Sequence, residues 1–148
     1  MKKSLLILST FFILISCRNN ENENLEAEAS IIGKWSFQKV DVFKSTTNQT
    51  QTTENSDCDK KSIHEFLETI HKSTFYGIVN STCQLTGEVN SRNYTFDKTN
   101  MKFWYENEQD YPYFIIKLTA NELVFEDRTQ DIDNDGKNDI IRRYFSKI

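Results

Sequence analysis

The sequence predicts an all-β protein, an antiparallel barrel or sandwich assembled from many short strands. From Ile31 onward the chain runs in short β-branched and aromatic segments, separated by polar turn signals such as Asp97-Lys98-Thr99-Asn100. Aromatic residues make up 13% of the chain, enough to supply much of a core. Four Gly and one Pro leave little room for repeats or collagen-like segments. Closure into a barrel would also hide the strand edges that otherwise invite aggregation.

The first element is not part of that domain. Lys2 and Lys3, an apolar stretch from Leu5 to Ile15, the small Ser16 and then Cys17 form a secretory signal. The apolar run of about 11 residues falls well short of the roughly 20 that a spanning helix needs. Leu14-Ile15-Ser16-Cys17 resembles the lipobox of bacterial lipoproteins, in which a diacylglycerol is joined to the cysteine sulfur and the chain is cut just before it. The resemblance implies that residues 1–16 are a signal peptide and that Cys17 is the lipid attachment point. It implies a bacterial cell-envelope protein held on a membrane, the outer membrane first, on its periplasmic or its surface face. Glu21 and Glu23, soon after the cysteine, are compatible with export to the outer face.

Residues 17–30 then comprise the lipidated cysteine and a tether. Arg18 to Ser30 is polar, acidic and free of aromatics, so it buries too little apolar surface to offset its ordering entropy. Random-coil scaling gives such a tether a span of about 20 Å. Residues 31–148 form the single domain, a size suited to an ordinary core. Loss of Lys2 and Lys3 takes the net charge from −4 to −6, and an acidic body argues against nucleic acid, whose phosphates need a basic face.

With Cys17 assigned to lipid, Cys58 and Cys83 remain as an even pair in an oxidising compartment. A disulfide is the natural reading, closing a loop of about 25 residues and contributing roughly 3–4 kcal/mol by restricting the unfolded chain. The alternative, a redox or metal pair, usually shows Cys-x-x-Cys spacing or further His and Cys ligands.

Within the domain, Ile32, Trp35, Phe37, Val40, Val42 and Phe43 favour one long strand with a bulge. Thr46 to Ser56 reads as a loop or an exposed edge strand. Ser62 to Ile70 is ambiguous: Ile63, Phe66, Leu67 and Ile70 have helical spacing, and Ser62 with Glu65 fits a capping box, yet family resemblance favours a strand. Strand is the expectation. Further strands are expected at Thr74–Val79, Gly87–Val89, Tyr94–Phe96, Met101–Tyr105, Tyr113–Leu118, Leu123–Glu126 and Ile140–Phe145.

Gly33-Lys34-Trp35, Cys58 followed by Phe66, Cys83 with Gly87, Tyr94-Thr95-Phe96, the stretch Thr119 to Phe125 and Tyr144-Phe145 follow one another in order. In these residues the chain resembles the lipocalin-like domain of small bacterial lipoproteins. The resemblance implies an up-and-down β-barrel of about eight strands, closed or half-open. In lipocalins the Trp of Gly-x-Trp plugs one end and an Arg from the last strand lies across it. Gly33, Trp35 and Arg142 or Arg143 would take those barrel-closing roles here, the last as a cation–π contact. Such a barrel holds one small apolar ligand or is filled by its own side chains, and so many Phe and Tyr favour a filled or shallow interior at least equally.

The sharpest local motif is Asp131-Ile132-Asp133-Asn134-Asp135-Gly136-Lys137-Asn138-Asp139. Its pattern is similar to calcium loops of the EF-hand, dockerin and thrombospondin type, with Asp131, Asp133, Asp135 and Asp139 as oxygen ligands and Gly136 at the sharp turn. Position 12 departs from the pattern, being Arg142. A polar hairpin loop explains the same residues, since Asn134-Asp135-Gly136 is turn chemistry with or without an ion. Calcium is thus the one cofactor the sequence raises.

Little else points to catalysis. His64 and His71 lack a third ligand for zinc. No Gly-x-Ser-x-Gly elbow occurs, and Glu106 with Glu108 reads as a solvated loop before a glycosidase pair. Trp104 offers an exposed aromatic or core packing. The expected function is a lipid-anchored, non-catalytic binding or structural module whose partner is a small apolar ligand or an envelope protein. An envelope enzyme or enzyme inhibitor, and a calcium-dependent adhesion module, are the alternatives.

Overall fold

The computed structural model describes residues 29–148. The expected signal peptide, lipid attachment at Cys17 and tether up to residue 28 lie outside them. Eleven strands follow one another: β1 (Gly33–Lys44), β2 (Gln49–Glu54), β3 (Ile63–Phe66), β4 (Ile70–Thr74), β5 (Tyr76–Val79), β6 (Thr82–Leu85), β7 (Asn90–Asp97), β8 (Lys102–Tyr105), β9 (Tyr113–Leu118), β10 (Glu122–Asp127) and β11 (Ile140–Lys147). A single 3-10 turn, Asp59–Lys61, precedes β3. Strands β1, β3, β4, β7, β8, β9, β10 and β11 pair in that order, and β11 pairs back onto β1. This is a closed, eight-stranded antiparallel barrel.

Strand β1 is long because it serves two neighbours on one edge. Gly33–Ser36 pair with β3, and Lys39–Lys44 pair with β2. The register on the other edge shifts between Phe37 and Lys39, the bulge expected from the broken alternation. Strand β2 is exposed along its whole length and is an edge strand of Thr, Gln and Glu, a polar edge that discourages pairing with other chains.

The segment 62–70 is a strand only as far as Phe66. Its backbone is paired on both sides, to β1 and to β4, and Phe66 enters the core at 1% exposure. Those pairings outweigh the local helical spacing. The expectation at Gly87–Val89 is corrected: these residues form an exposed linker, with Gly87 at φ 85°. The extra pairing lies earlier, in the β5–β6 hairpin, whose two-residue turn places Asn80 and Ser81 at φ 50° and 62°. Both central residues at positive φ match the twist of the flanking strands. Cys58 and Cys83 form a disulfide that ties this hairpin to the 3-10 turn.

The core fills one half of the barrel. Ile31, Trp35, Phe66, Phe103 and Leu123 are fully buried, and full burial of such side chains stabilises by about 1.5–3 kcal/mol each. Trp35 Nε1 donates to the Ile31 carbonyl at 2.7 Å, so its one polar atom is satisfied. The cation across Trp35 is not Arg142. Lys147 Nζ sits 4.3 Å from the ring centroid and also donates to the Ile32 carbonyl at 2.7 Å. Gly33, at φ 133°, leaves room for it, since a Cβ there would overlap the Lys147 ammonium. Strand parity explains the correction. Arg143, Phe145 and Lys147 share the inner face, whereas Arg142 points outward and donates to Glu126 Oε1 through Nε at 3.0 Å.

Candidate functional site

The other half of the barrel is open. A cavity of about 310 Å³ lies among Phe37, His64, His71, Ser73, Phe75, Asn90, Arg92, Tyr105, Tyr113, Phe125, Arg143 and Phe145. Each barrel strand sends alternate residues inward, so the lining repeats at period two along β4 (His71, Ser73), β7 (Asn90, Arg92) and β11 (Arg143, Phe145). One flank is aromatic: Phe37 stacks on Phe145 at 5.1 Å, and Phe145 on Phe125 at 5.1 Å. The opposite flank is polar.

On that polar flank the rings of Phe66, His71 and Tyr105 stack in sequence, at 4.1 and 5.8 Å between centroids. His71 Nδ1 lies 2.7 Å from the Tyr105 hydroxyl, and His71 Nε2 lies 3.2 Å from His64 Nδ1. Two proton arrangements satisfy this chain: Tyr105 donates and His71 passes a donor on to His64, or the whole chain runs in reverse. Both leave the imidazoles neutral. Burial is the main reason His64 falls to about 4 and His71 to about 3, with nearby cations adding to it. Burial also raises the Tyr105 and Tyr113 hydroxyls, while Tyr94, deeper in the core, is pushed up to about 12.

Charge enters the cavity wall through two arginines. The Arg92 guanidinium lies 3.7 Å over the Tyr105 ring and pairs with Glu108 at the rim. Arg143 Nη1 is buried without a hydrogen bond, 3.8 Å from Asp127 Oδ2. Asp127 is otherwise occupied, accepting from the Thr129 amide and hydroxyl and from Gln130 Nε2 at 2.6–3.0 Å.

A sequence profile of the lipocalin-like domain matches residues 31–125. The chain belongs to that family. Barrels of this family typically bind small hydrophobic ligands and are generally non-catalytic. Similar solved structures include hamster aphrodisin, described as a sex pheromone of the female, at 12% identity and TM-score 0.40 over 80% of this chain and 76% of that one. A dog lipocalin allergen is similar at 17% identity and TM-score 0.39, over 79% of this chain and 73% of that one. No curated protein matches in sequence.

The lipocalin-like lumen brings together residues that sequence reading kept apart. His64 and His71 lack a third zinc ligand along the chain, yet the β3–β4 register sets His64 opposite Ser73 and Phe66 opposite His71, which turns their seven-residue spacing into a cross-strand contact. Glu108 belongs to the rim through Arg92, while Glu106 accepts from Asn93 Nδ2 at 3.0 Å on the surface. Trp104 is half-buried on the outer face beside Lys102. Arg143 was discernible by parity with Phe145, two residues on.

The acidic loop lies outside the lumen, between β10 and β11. Asp131, Asp133 and Asp139 bring carboxylate oxygens within 4.8 Å of one another, but Asp135 is not among them. A hydrogen bond from the Thr46 side chain and one from the Lys137 amide hold the Asp135 carboxyl below its usual value. Asp139, 1% exposed, accepts from the Ser45 and Ile132 amides at 3.0 Å. Asp131 accepts from the Asp135 and Gly136 amides, and Lys44 Nζ lies 3.6 Å from Asp133. The donor set suits a hard cation, although backbone amides already occupy several of its oxygens.

Proposed function

We propose that this protein is a lipid-anchored, non-catalytic binding module of the bacterial cell envelope that takes one small, largely apolar ligand into the barrel lumen. The observation that carries the reading is the aromatic-walled cavity of about 310 Å³ in the half of the barrel that the core leaves open. Its volume falls at the low end of the roughly 300–1,000 Å³ usual for ligand pockets, which favours a small occupant. Anchoring rests on the signal-like run ending at Cys17, and the acidic tether would hold the barrel just off the membrane.

The rival enzyme reading has one constellation to draw on. Ser73 Oγ lies 3.3 Å from nitrogens of both His64 and His71. Imidazoles held near 3 and 4 are poor bases at neutral pH, and a long contact to a buried hydroxyl makes a weak nucleophile. Binding is the better use of these groups.

Titration of the purified protein with the neutral fluorophore anilinonaphthalene tests the lumen. Saturable one-to-one binding is expected, weakened at least tenfold by Asn90→Trp, which plugs the exposed rim of the cavity. No saturable binding of this probe or of its sulfonate analogue would overturn the reading. For the anchor, Cys17→Ser is expected to move the protein from the membrane fraction to the soluble one, and unchanged retention would refute lipidation.

A structural calcium site at Asp131, Asp133 and Asp139 is a second proposal, favoured by the convergence of their oxygens. Calcium at 100 times its dissociation constant would add about 2.7 kcal/mol to stability. A thermal midpoint that rises with calcium, falls with chelator, and does neither in Asp133→Asn is the expected result; identical midpoints would leave a self-sufficient acidic turn.

A further inference from the structure

We infer that the lumen selects a small amphiphile with a single anionic head group, which Arg143 grips while the apolar body lies along Phe37, Phe125 and Phe145. The inference rests on the lumen being the ligand site. The decisive observation is that Arg143 Nη1 is buried in the cavity wall with no hydrogen bond. A buried charged donor left without an acceptor is costly, and a guanidinium aimed into a cavity is relieved best by a carboxylate or sulfonate, which takes charge-assisted and often bidentate hydrogen bonds.

The surrounding groups leave that role open. Asp127 is the nearest carboxylate, but at 3.8 Å it is beyond hydrogen-bond distance, and its two oxygens are already committed to Thr129 and Gln130. Glu108, at the rim, is engaged by Arg92, whose guanidinium adds a second positive centre above Tyr105. His64 and His71 are neutral, so they offer ring N–H donors or acceptors without cancelling that field. No acidic side chain lines the cavity among the described residues. A neutral oil would leave Arg143 with only its 3.8 Å ion pair to Asp127, whereas an anion fitted to the same space would supply the missing hydrogen bonds.

The test compares two probes with one skeleton, neutral anilinonaphthalene and anionic anilinonaphthalenesulfonate, on the wild-type protein and on Arg143→Gln. The sulfonate is expected to bind wild type at least tenfold more tightly than the neutral probe. Arg143→Gln should lose that advantage, with Arg143→Lys recovering part of it, while the neutral probe changes less than twofold. Equal binding of both probes to wild type would overturn the anion preference and leave the ligand-binding reading standing. Saturable binding of neither probe would overturn that reading itself. An advantage that survives in Arg143→Gln would exclude Arg143 as the head-group site. The wild-type comparison decides the preference even if the variant does not fold.

Discussion

The two halves of the barrel are built from the same eight strands yet obey different rules. Around Trp35 the interior is hydrocarbon and aromatic, each polar atom is satisfied, and the one cation, Lys147, lies flat across a ring. Around His71 the interior keeps two imidazoles, two guanidinium groups and an open cavity. The first half pays back burial as stability. The second keeps polar groups that a filled core would replace with apolar ones, which is the expected signature of a site kept for binding.

The largest expected effect lies at the closed end. Trp35→Ala removes the plug of a fully packed core and should cost about 3–5 kcal/mol in urea unfolding. Arg143→Met, in the open half, should cost well under that, because it removes only the 3.8 Å ion pair to Asp127, whose carboxylate keeps its hydrogen bonds from Thr129 and Gln130. Equal losses from the two substitutions would erase the distinction between the halves.

Next comes pH. His64 and His71 titrate well below the ordinary 6.5 in the folded state, so the unfolded chain takes up protons first as pH falls. Their stability contribution is complete above pH 6.5 and is lost progressively toward pH 4 for His64 and pH 3 for His71. At about 1.4 kcal/mol per unit and per group, the loss by pH 5 reaches at most about 4 kcal/mol. The carboxylates held below their usual values, Asp41, Asp97, Glu126 and Asp135, lose their contribution only at lower pH, so the window from 6.5 to 5 isolates the imidazoles. Chemical unfolding at several pH values should show this slope in wild type and a flatter one in the His64→Gln, His71→Gln double variant.

Replacing Cys58 and Cys83 by Ser should cost about 3.5 kcal/mol, from the entropy of a 25-residue loop. The loss would appear as a lower thermal midpoint, with anilinonaphthalene affinity altered through Phe75, which joins the hairpin to the cavity wall. Lys147→Met should cost about 1 kcal/mol, from the lost cation–π contact and carbonyl hydrogen bond. Arg142→Met should leave the Trp35 fluorescence environment untouched, which sharpens the assignment of the covering cation.

Much of this architecture can be read in the residues themselves. Gly33-Lys34-Trp35 marked the start of the first strand and its plug, the even cysteine pair indicated the bridge, and alternating aromatics located most strands. Strand β6 was missed because Thr82-Cys83-Gln84-Leu85 is almost wholly exposed, so burial left no alternation to read. Gly87–Val89 misled for the opposite reason: Val89 is a β-branched residue at 53% exposure. The histidine pair was invisible because its contact depends on the register between β3 and β4, which no local spacing encodes. Choosing Lys147 over Arg142 needed only the two-residue period from Phe145.

One further consequence concerns the order in which the barrel forms. Its seam joins the first strand to the last, as in the hydrogen bond from the Tyr144 hydroxyl to Asp41, 103 positions earlier in the chain. Neither edge can be sealed while β11 is still being synthesised or threaded. The cylinder can therefore close only through contacts between residues about a hundred positions apart, the long-range kind that slows folding.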